Sequence, residues 1–201
     1  MQTIFIVSGS HRKNSQSGRM ARYLGQRLEA LGAAVDCLDL AKTPLPFWRE
    51  DFWDNPRTGW DEWEDIAGRL QKADGLVVIS PEWHGMVPSG LKNFFLLATS
   101  RELADKPGLI VAVSSGMGGS YPVSELRISS TKNNRLCYLP DHLIIRDVEN
   151  VFLDPQNPSE ADEYLAARIT HDLKLLLAYA KALGAVRAAN LRDWANFPNG
   201  M

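Results

Sequence analysis

The chain has 201 residues, 45% of them hydrophobic, which suits one domain with a sizeable core. Its net charge of −2, with both signs interspersed, argues against a nucleic-acid or anionic-membrane surface. No apolar run is long enough to span a bilayer, no secretion signal is visible, and Cys37 and Cys137 read as reduced thiols of a cytoplasmic protein.

The first expected strand is Ile4 to Val7, an apolar, β-branched run of the kind buried on both faces of a parallel sheet. It runs into Ser8-Gly9-Ser10-His11-Arg12-Lys13-Asn14-Ser15-Gln16-Ser17, and a helical pattern begins near Ser17. A strand, a small polar loop and a helix start together make an anion site. The first helical amides lack internal partners, and the helix dipole adds positive charge there. Hydroxyls and the Arg12 guanidinium suit a phosphate monoester. Neither the Gly-Lys-Ser/Thr ending of an ATP loop nor the G-x-G-x-x-G of a dinucleotide loop is present. The plainer alternative is a polar turn with a Ser N-cap and a solvated Arg.

Met20, Ala21, Leu24, Leu28 and Leu31 continue the helix, and Gly32 closes it. A second strand is expected over Ala34 to Leu38. Leu45 to Trp60 has poor periodicity, two prolines with Pro44 just before it, and five aromatics, and reads as a long ordered loop. It fits either a lid or subunit interface, or a satellite cluster on its own domain. Asp61 is expected to cap a helix whose apolar face is Trp63, Ile66, Ala67, Leu70 and Ala73. Gly75 to Ile79 is the third strand, followed by Pro81-Glu82-Trp83-His84-Gly85 and a helix from Ser89 to Ala98. Leu109 to Val113 is the fourth strand, followed by Ser115-Gly116-Met117-Gly118-Gly119 and a helix from Val123 to Leu136. Leu143 to Ile145 is the fifth. A long amphipathic helix spans Ser159 to Leu183, Gly184 stops it, and the tail 185–201 is expected to dock on the domain 1–184 or on a partner subunit.

Strands alternating with helices predict a doubly wound α/β fold with a five-stranded parallel sheet in the order 2-1-3-4-5. That order brings the loops after strands 1, 3 and 4 to one carboxyl edge, where ligands bind. Backbone amides of the Pro81 to Gly85 loop can face a planar heterocycle. Gly116, Gly118 and Gly119 let the backbone approach the same ring. The four His are scattered, no metal site is expected, and His84 is given no acid–base work.

Two of these stretches carry a resemblance. Gly9-Ser10-x-Arg12-x-x-Ser15-x-Ser17 is similar to the phosphate loop of the NADPH-dependent FMN reductase family. Pro81-Glu82-Trp83-His84-Gly85-x-Val87-Pro88-x-x-Leu91-Lys92-Asn93 resembles that family's second signature, with Trp83 where Tyr is usual. The likeness covers about residues 2 to 150. It implies a flavodoxin-like three-layer sandwich and FMN held by Ser10, Arg12, Asn14, Ser15, Gln16 and Ser17. Pro81, Glu82, Trp83, His84, Gly85, Ser115, Gly116, Gly118 and Gly119 would lie about its ring. It implies an NAD(P)H oxidoreductase, with NADPH or NADH as co-substrate and hydride chemistry at flavin N5, so no catalytic side chain is required. The acceptor would be a small molecule (flavin, quinone, azo compound or metal oxyanion), and the assembly a homodimer or homotetramer. The competing reading is a flavodoxin-type electron carrier; a third is a member that has lost FMN.

Overall fold

A computed structural model describes residues 1–54 and 56–200; position 55 of the aromatic loop and position 201 of the tail lie outside the described residues. Five parallel strands, β1 (Thr3–Ser8), β2 (Ala34–Asp39), β3 (Gly75–Pro81), β4 (Pro107–Val113) and β5 (Cys137–Ile145), lie in the order β2-β1-β3-β4-β5. The helices are α1 (Gln16–Ala30), α2 (Asp61–Lys72), α3 (Ser89–Leu97), a single turn α4 (Ser100–Leu103), α5 (Ser120–Ser129) and α6 (Glu160–Ala188). This is the flavodoxin-like sandwich, and the reason is visible in the core. β3 and β4 are buried at every position, as central parallel strands must be. Alternate residues feed two cores. Ile4, Ile6, Val77 and Val111 pack with Met20, Leu24 and Leu28 of α1 and Ile169, Leu173 and Leu176 of α6. Phe5, Val7, Leu76 and Ile110 pack with Trp63 and Leu70 of α2, Phe94 of α3 and Leu126 of α5.

Four boundaries differ from the sequence expectation. Trp60, not Asp61, holds the N-cap of α2 and makes no side-chain cap; Asp61, Glu62 and Glu64 instead fill the first turn, where the dipole favours them. β5 begins at Cys137, because an edge strand tolerates Pro140 and the half-buried Asp141 and His142 that break its apolar run. α5 starts at Ser120 and ends at Ser129. Pro122 fits its first turn, where a missing N–H has no helical partner to lose. α6 passes through Gly184 to Ala188, its last turn held by Arg187 Nη1 donating to the Asp105 carbonyl (2.9 Å). α4 was not expected, yet Thr99-Ser100-Arg101-Glu102 forms a complete capping box.

The aromatic loop packs inward in part. Phe52 and Trp60 are buried edge to face (4.9 Å) in the α2–α3 core, while Phe47 and Trp53 stay exposed. Asn93 of α3 anchors it: its Oδ1 accepts from Trp48 N and its Nδ2 donates to Pro46 O, both at 2.8 Å. The tail lies along the opposite end of the sheet. Arg192 pairs with Asp105, and the guanidinium groups of Arg135 and Arg192 sit 5.1 and 5.6 Å from the Trp194 ring centre. Among the described residues no helix is long and apolar enough to cross a membrane.

Lys106 is the most perturbed cation. It is 5% exposed, and its Nζ donates to the carbonyls of Leu70 (2.6 Å) and Gln71 (3.0 Å), closing the end of α2. Burial, and next the nearby Arg187 charge, lower its pKa to about 8 from the usual 10.5. Folding therefore favours the neutral amine. Stability should rise with pH between about 8 and 10.5, by up to ~3 kcal/mol, and show no Lys106 contribution to the slope below that window. Urea melts across this window should show the rise in wild type and its loss in Lys106→Met. Equal slopes in the two proteins would refute the assignment.

Candidate functional site

The strand order places the β1, β3 and β4 loops on one edge. A concavity of about 200 Å³ opens there, lined by Ser10, Arg12, Asn14, Ser15, Gln16, Ser17, Pro81, Glu82, Trp83, Val113, Ser115, Val148 and Glu149. Three loops far apart in sequence thus meet as the topology requires. His84, Gly85, Gly116, Gly118 and Gly119 stand outside this lining.

The first loop is built to leave donors free. Ser15 caps α1, its Oγ accepting from Gly18 N at 3.0 Å. Among the described residues the amides of Gln16 and Ser17 make no hydrogen bond. The Ser17 hydroxyl is 1% exposed and has no partner. Arg12 is exposed, and no carboxylate among the described residues pairs with it. Asn14 takes φ +54°, a left-handed turn that Asn tolerates. Gly9 is required for a different reason: a Cβ there would lie 2.6 Å from Leu91 Cδ2 and 2.8 Å from the Ile79 carbonyl, so the loop sits directly on α3.

The second loop is a tight turn. Trp83 and Met86 exchange backbone hydrogen bonds (3.1 and 2.9 Å), with φ of +51° at His84 and +72° at Gly85. Positive φ at both central residues is the type I′ pattern, and only Gly adopts it freely. The turn tips Trp83 toward the first loop, its ring centre 5.8 Å from that of His11. The family-like residues after it do structural work. Lys92 pairs with Glu125 of α5 (2.5 Å), and Glu125 also accepts from Val87 N (2.8 Å).

The third loop is locked to the second. The Glu82 carboxylate accepts from Gly119 N at the start of α5. Gly119 has φ +103°, and a Cβ would fall 2.4 Å from Ile144 Cγ2, so this position admits only glycine. A Cβ on Gly118 would point at the Glu82 carboxylate (3.0 Å), while Gly116 faces open space.

The loop after β5 went unread in the sequence, although it completes the site. Val148 and Glu149 line the concavity, and Ser115 Oγ donates to Glu149 (3.3 Å). Arg146 Nε holds the carbonyls of Met117 (2.8 Å) and Gly118 (3.0 Å). Arg19 reaches from α1 to the carbonyls of Val148 and Val151, and burial, then the charge of Arg22, lowers its pKa. Only an isolated Arg-Asp-x-Glu string marked this loop, with neither glycines nor hydroxyls to flag it.

In and just after the second and third loops, Met86, Met117 and Tyr121 are exposed, and Tyr121 stands beside Gly85. Larger concavities lie elsewhere, one of about 700 Å³ lined by Trp48, Trp53, Phe95 and Leu96 among others. Among the described residues, the buried unpartnered Ser17 hydroxyl and the unpaired helix-start amides come together in the first concavity. Orphan amides, a buried orphan hydroxyl and a free guanidinium at one helix start are what a phosphate monoester needs. The donor set therefore fits the phosphate of FMN.

The NADPH-dependent FMN reductase family model matches residues 2–149. The FMN-dependent NADPH-azoreductase of Staphylococcus aureus is 29% identical over 127 residues; the match covers 61% of this chain and 66% of that protein, just under two thirds of its length. Among solved structures, FerB of Paracoccus denitrificans, a flavoenzyme NAD(P)H:(acceptor) oxidoreductase, superposes with a TM-score of 0.73 at 20% identity, covering 90% of this chain and 98% of that one. The NAD(P)H:quinone oxidoreductase of Methanothermobacter marburgensis gives 0.59 at 12% identity, covering 86% and 97%. At such identities the structural likeness speaks for the fold. The family match runs from β1 through the loop after β5, the stretch that builds every wall of the site, and the chain belongs to the NADPH-dependent FMN reductase family.

Proposed function

We propose that the protein is an FMN-dependent NAD(P)H oxidoreductase acting on a small-molecule acceptor: a flavin, quinone, azo compound or metal oxyanion. The observation that carries this reading is the cluster of unpaired donors at the start of α1 in the crevice between the β1 and β3 loops. Arg12, Ser10, Asn14, Ser15, Gln16 and Ser17 would hold the phosphate. Pro81 to Gly85 and Ser115 to Gly119 would flank the ring. Bound FMN supplies a ring that takes hydride at N5 and passes two electrons to an acceptor, so the chain need only bind, orient and shield. The exposed Met86, Met117 and Tyr121 give a flat second reactant an apolar place to stack, which favours an enzyme over a carrier. In this reading residues 1–184 form the FMN-binding domain, and 185–201 form a tail docked on it. Two free thiols fit a cytoplasmic setting.

Arg12→Ala should weaken FMN binding roughly ten- to a hundredfold, the worth of one charge-assisted hydrogen bond, and leave riboflavin binding nearly unchanged. Equal losses for both would remove the phosphate from this loop. The activity itself is tested by anaerobic stopped flow on the FMN-loaded protein. NADPH or NADH should bleach the flavin band within seconds. A flavin band that persists for minutes with both would favour the carrier.

Self-association belongs to the same proposal. Phe47 and Trp53 are each 73% exposed and Leu96 60%, and Trp53 and Leu96 line the 700 Å³ groove, exposed apolar surface of the kind that interfaces cover. Light scattering at micromolar concentration should give at least twice the chain mass; a monomer mass would refute it.

A further inference from the structure

The first loop and α3 are fitted to each other by two glycines, one on each side. Gly9 receives α3: its amide donates to the Ile79 carbonyl (2.8 Å), and a Cβ there would meet Leu91 Cδ2 at 2.6 Å. Gly90 receives the loop: a Cβ there would fall on the His11 imidazole, closest to Nε2, 2.7 Å from Cε1 and 3.0 Å from Cδ2. The His11 ring thus fills the place that any longer side chain at position 90 would take. It also neighbours Trp83, with ring centres 5.8 Å apart and planes tilted by 56°. Ser10 Oγ accepts from Arg12 N (3.3 Å), which curls the chain about His11. His11 and Gly90 both fall on open positions of the two family-like motifs, so neither motif calls for this fit. The ends of the loop are held elsewhere, at Gly9 by the bond to β3 and at Ser15 by the cap of α1. Between them Arg12, Lys13 and Asn14 are exposed, and among the described residues their side chains make no hydrogen bond.

We propose that His11 is a positioning residue: seated in the Gly90 notch, it holds the first loop against α3 and so keeps Arg12 and the free donors of α1 in one arrangement for an anion. The inference rests on the cofactor reading above for the identity of that anion, the phosphate of FMN. A loop ordered before binding loses less freedom when the anion arrives, and holding one such side chain in place is worth a several-fold change in affinity. Glycine is a poor helix former, so alanine at position 90 would suit α3 better were His11 not there. Trp83 does not depend on this contact, because its backbone is already paired with Met86 (3.1 and 2.9 Å). The effect therefore falls on the end of the concavity that carries Arg12. His11 is itself exposed, so it can swing clear of a methyl group at position 90 without unfolding the protein.

The test is a double-mutant cycle on the full chain, with Gly90→Ala, His11→Ala and the two together, titrated with FMN and with riboflavin. Each single variant should bind FMN roughly three- to tenfold more weakly and riboflavin with nearly wild-type affinity. The double variant should be no worse than His11→Ala alone, because with the imidazole gone the methyl group has nothing to displace. The melting temperature of the ligand-free protein should not fall in Gly90→Ala, since alanine favours the helix, so affinity and stability should move apart. Unchanged FMN affinity in either single variant, losses that add in the double variant, equal losses for riboflavin, or a fall in melting temperature that tracks the affinity would each overturn the assignment. If wild type takes up no FMN, the cofactor reading fails by itself. NMR order parameters of residues 11–14 in the ligand-free protein then decide the inference: they should drop in both single variants, and values equal to wild type would overturn it.

Discussion

Everything at the site depends on one unmet need, the free backbone donors at the start of α1. Folding leaves the amides of Gln16 and Ser17 and the buried Ser17 hydroxyl without partners inside the chain. A buried polar group left unpaired costs about 1–3 kcal/mol, so the loop is held open at the expense of stability. The rest of the fold has to over-determine it. Gly9 seats the loop on Leu91, Ser15 caps the helix, and Arg19 ties α1 to the carbonyls after β5. An anion placed there satisfies donors that already point at it, which lowers the cost of ordering on binding. Occupancy and stability are then linked, because a ligand of the native state alone stabilises it.

The other two loops depend on each other in the same way. The Glu82 carboxylate is a loop residue by sequence, yet it serves as the anionic cap that α5 lacks from its own Gly119. That single contact joins the turn after β3 to the turn after β4. Arg146 then fixes the carbonyl side of the latter. A ring held between these turns would meet rigid backbone on both sides, which is what orientation of two flat reactants requires. The flexibility suggested by three glycines is largely illusory. Gly119 is demanded by a close approach to Ile144 and Gly118 faces a carboxylate; only Gly116 is unconstrained.

The sheet was legible in the sequence because its central strands are buried on both faces and read as unbroken apolar runs. β5 was truncated because it lies at an edge, where Pro140, Asp141 and His142 carry no strand signal. Helix ends failed where tertiary contacts overrode local cues. Gly184 looks like a stop, but Arg187 draws the helix onward to the Asp105 carbonyl, at a cost for the internal glycine of about 1 kcal/mol. The first loop was legible as a wall of the concavity because hydroxyls, Arg12 and a helix start cluster within ten residues. Val148 and Glu149 were not, because their place in the site comes from strand order alone.

The aromatic loop shows why composition alone could not choose between a packed cluster and an exposed face. Part of the loop packs as a cluster on its own domain, and part of it stays exposed. Phe52 and Trp60 fill the gap between α2 and α3, while Trp53 leans edge-on against Trp48 and faces outward. The division is made by Asn93, whose amide spans Pro46 and Trp48 and pulls the loop down at that point. Asn93 is 5% exposed, and both ends of its amide are satisfied by main chain, so it fixes a specific path for the loop. A residue that the sequence groups with the ring-binding signature therefore acts one layer away from the site. It sets which aromatics are left at the surface, next to the 700 Å³ groove.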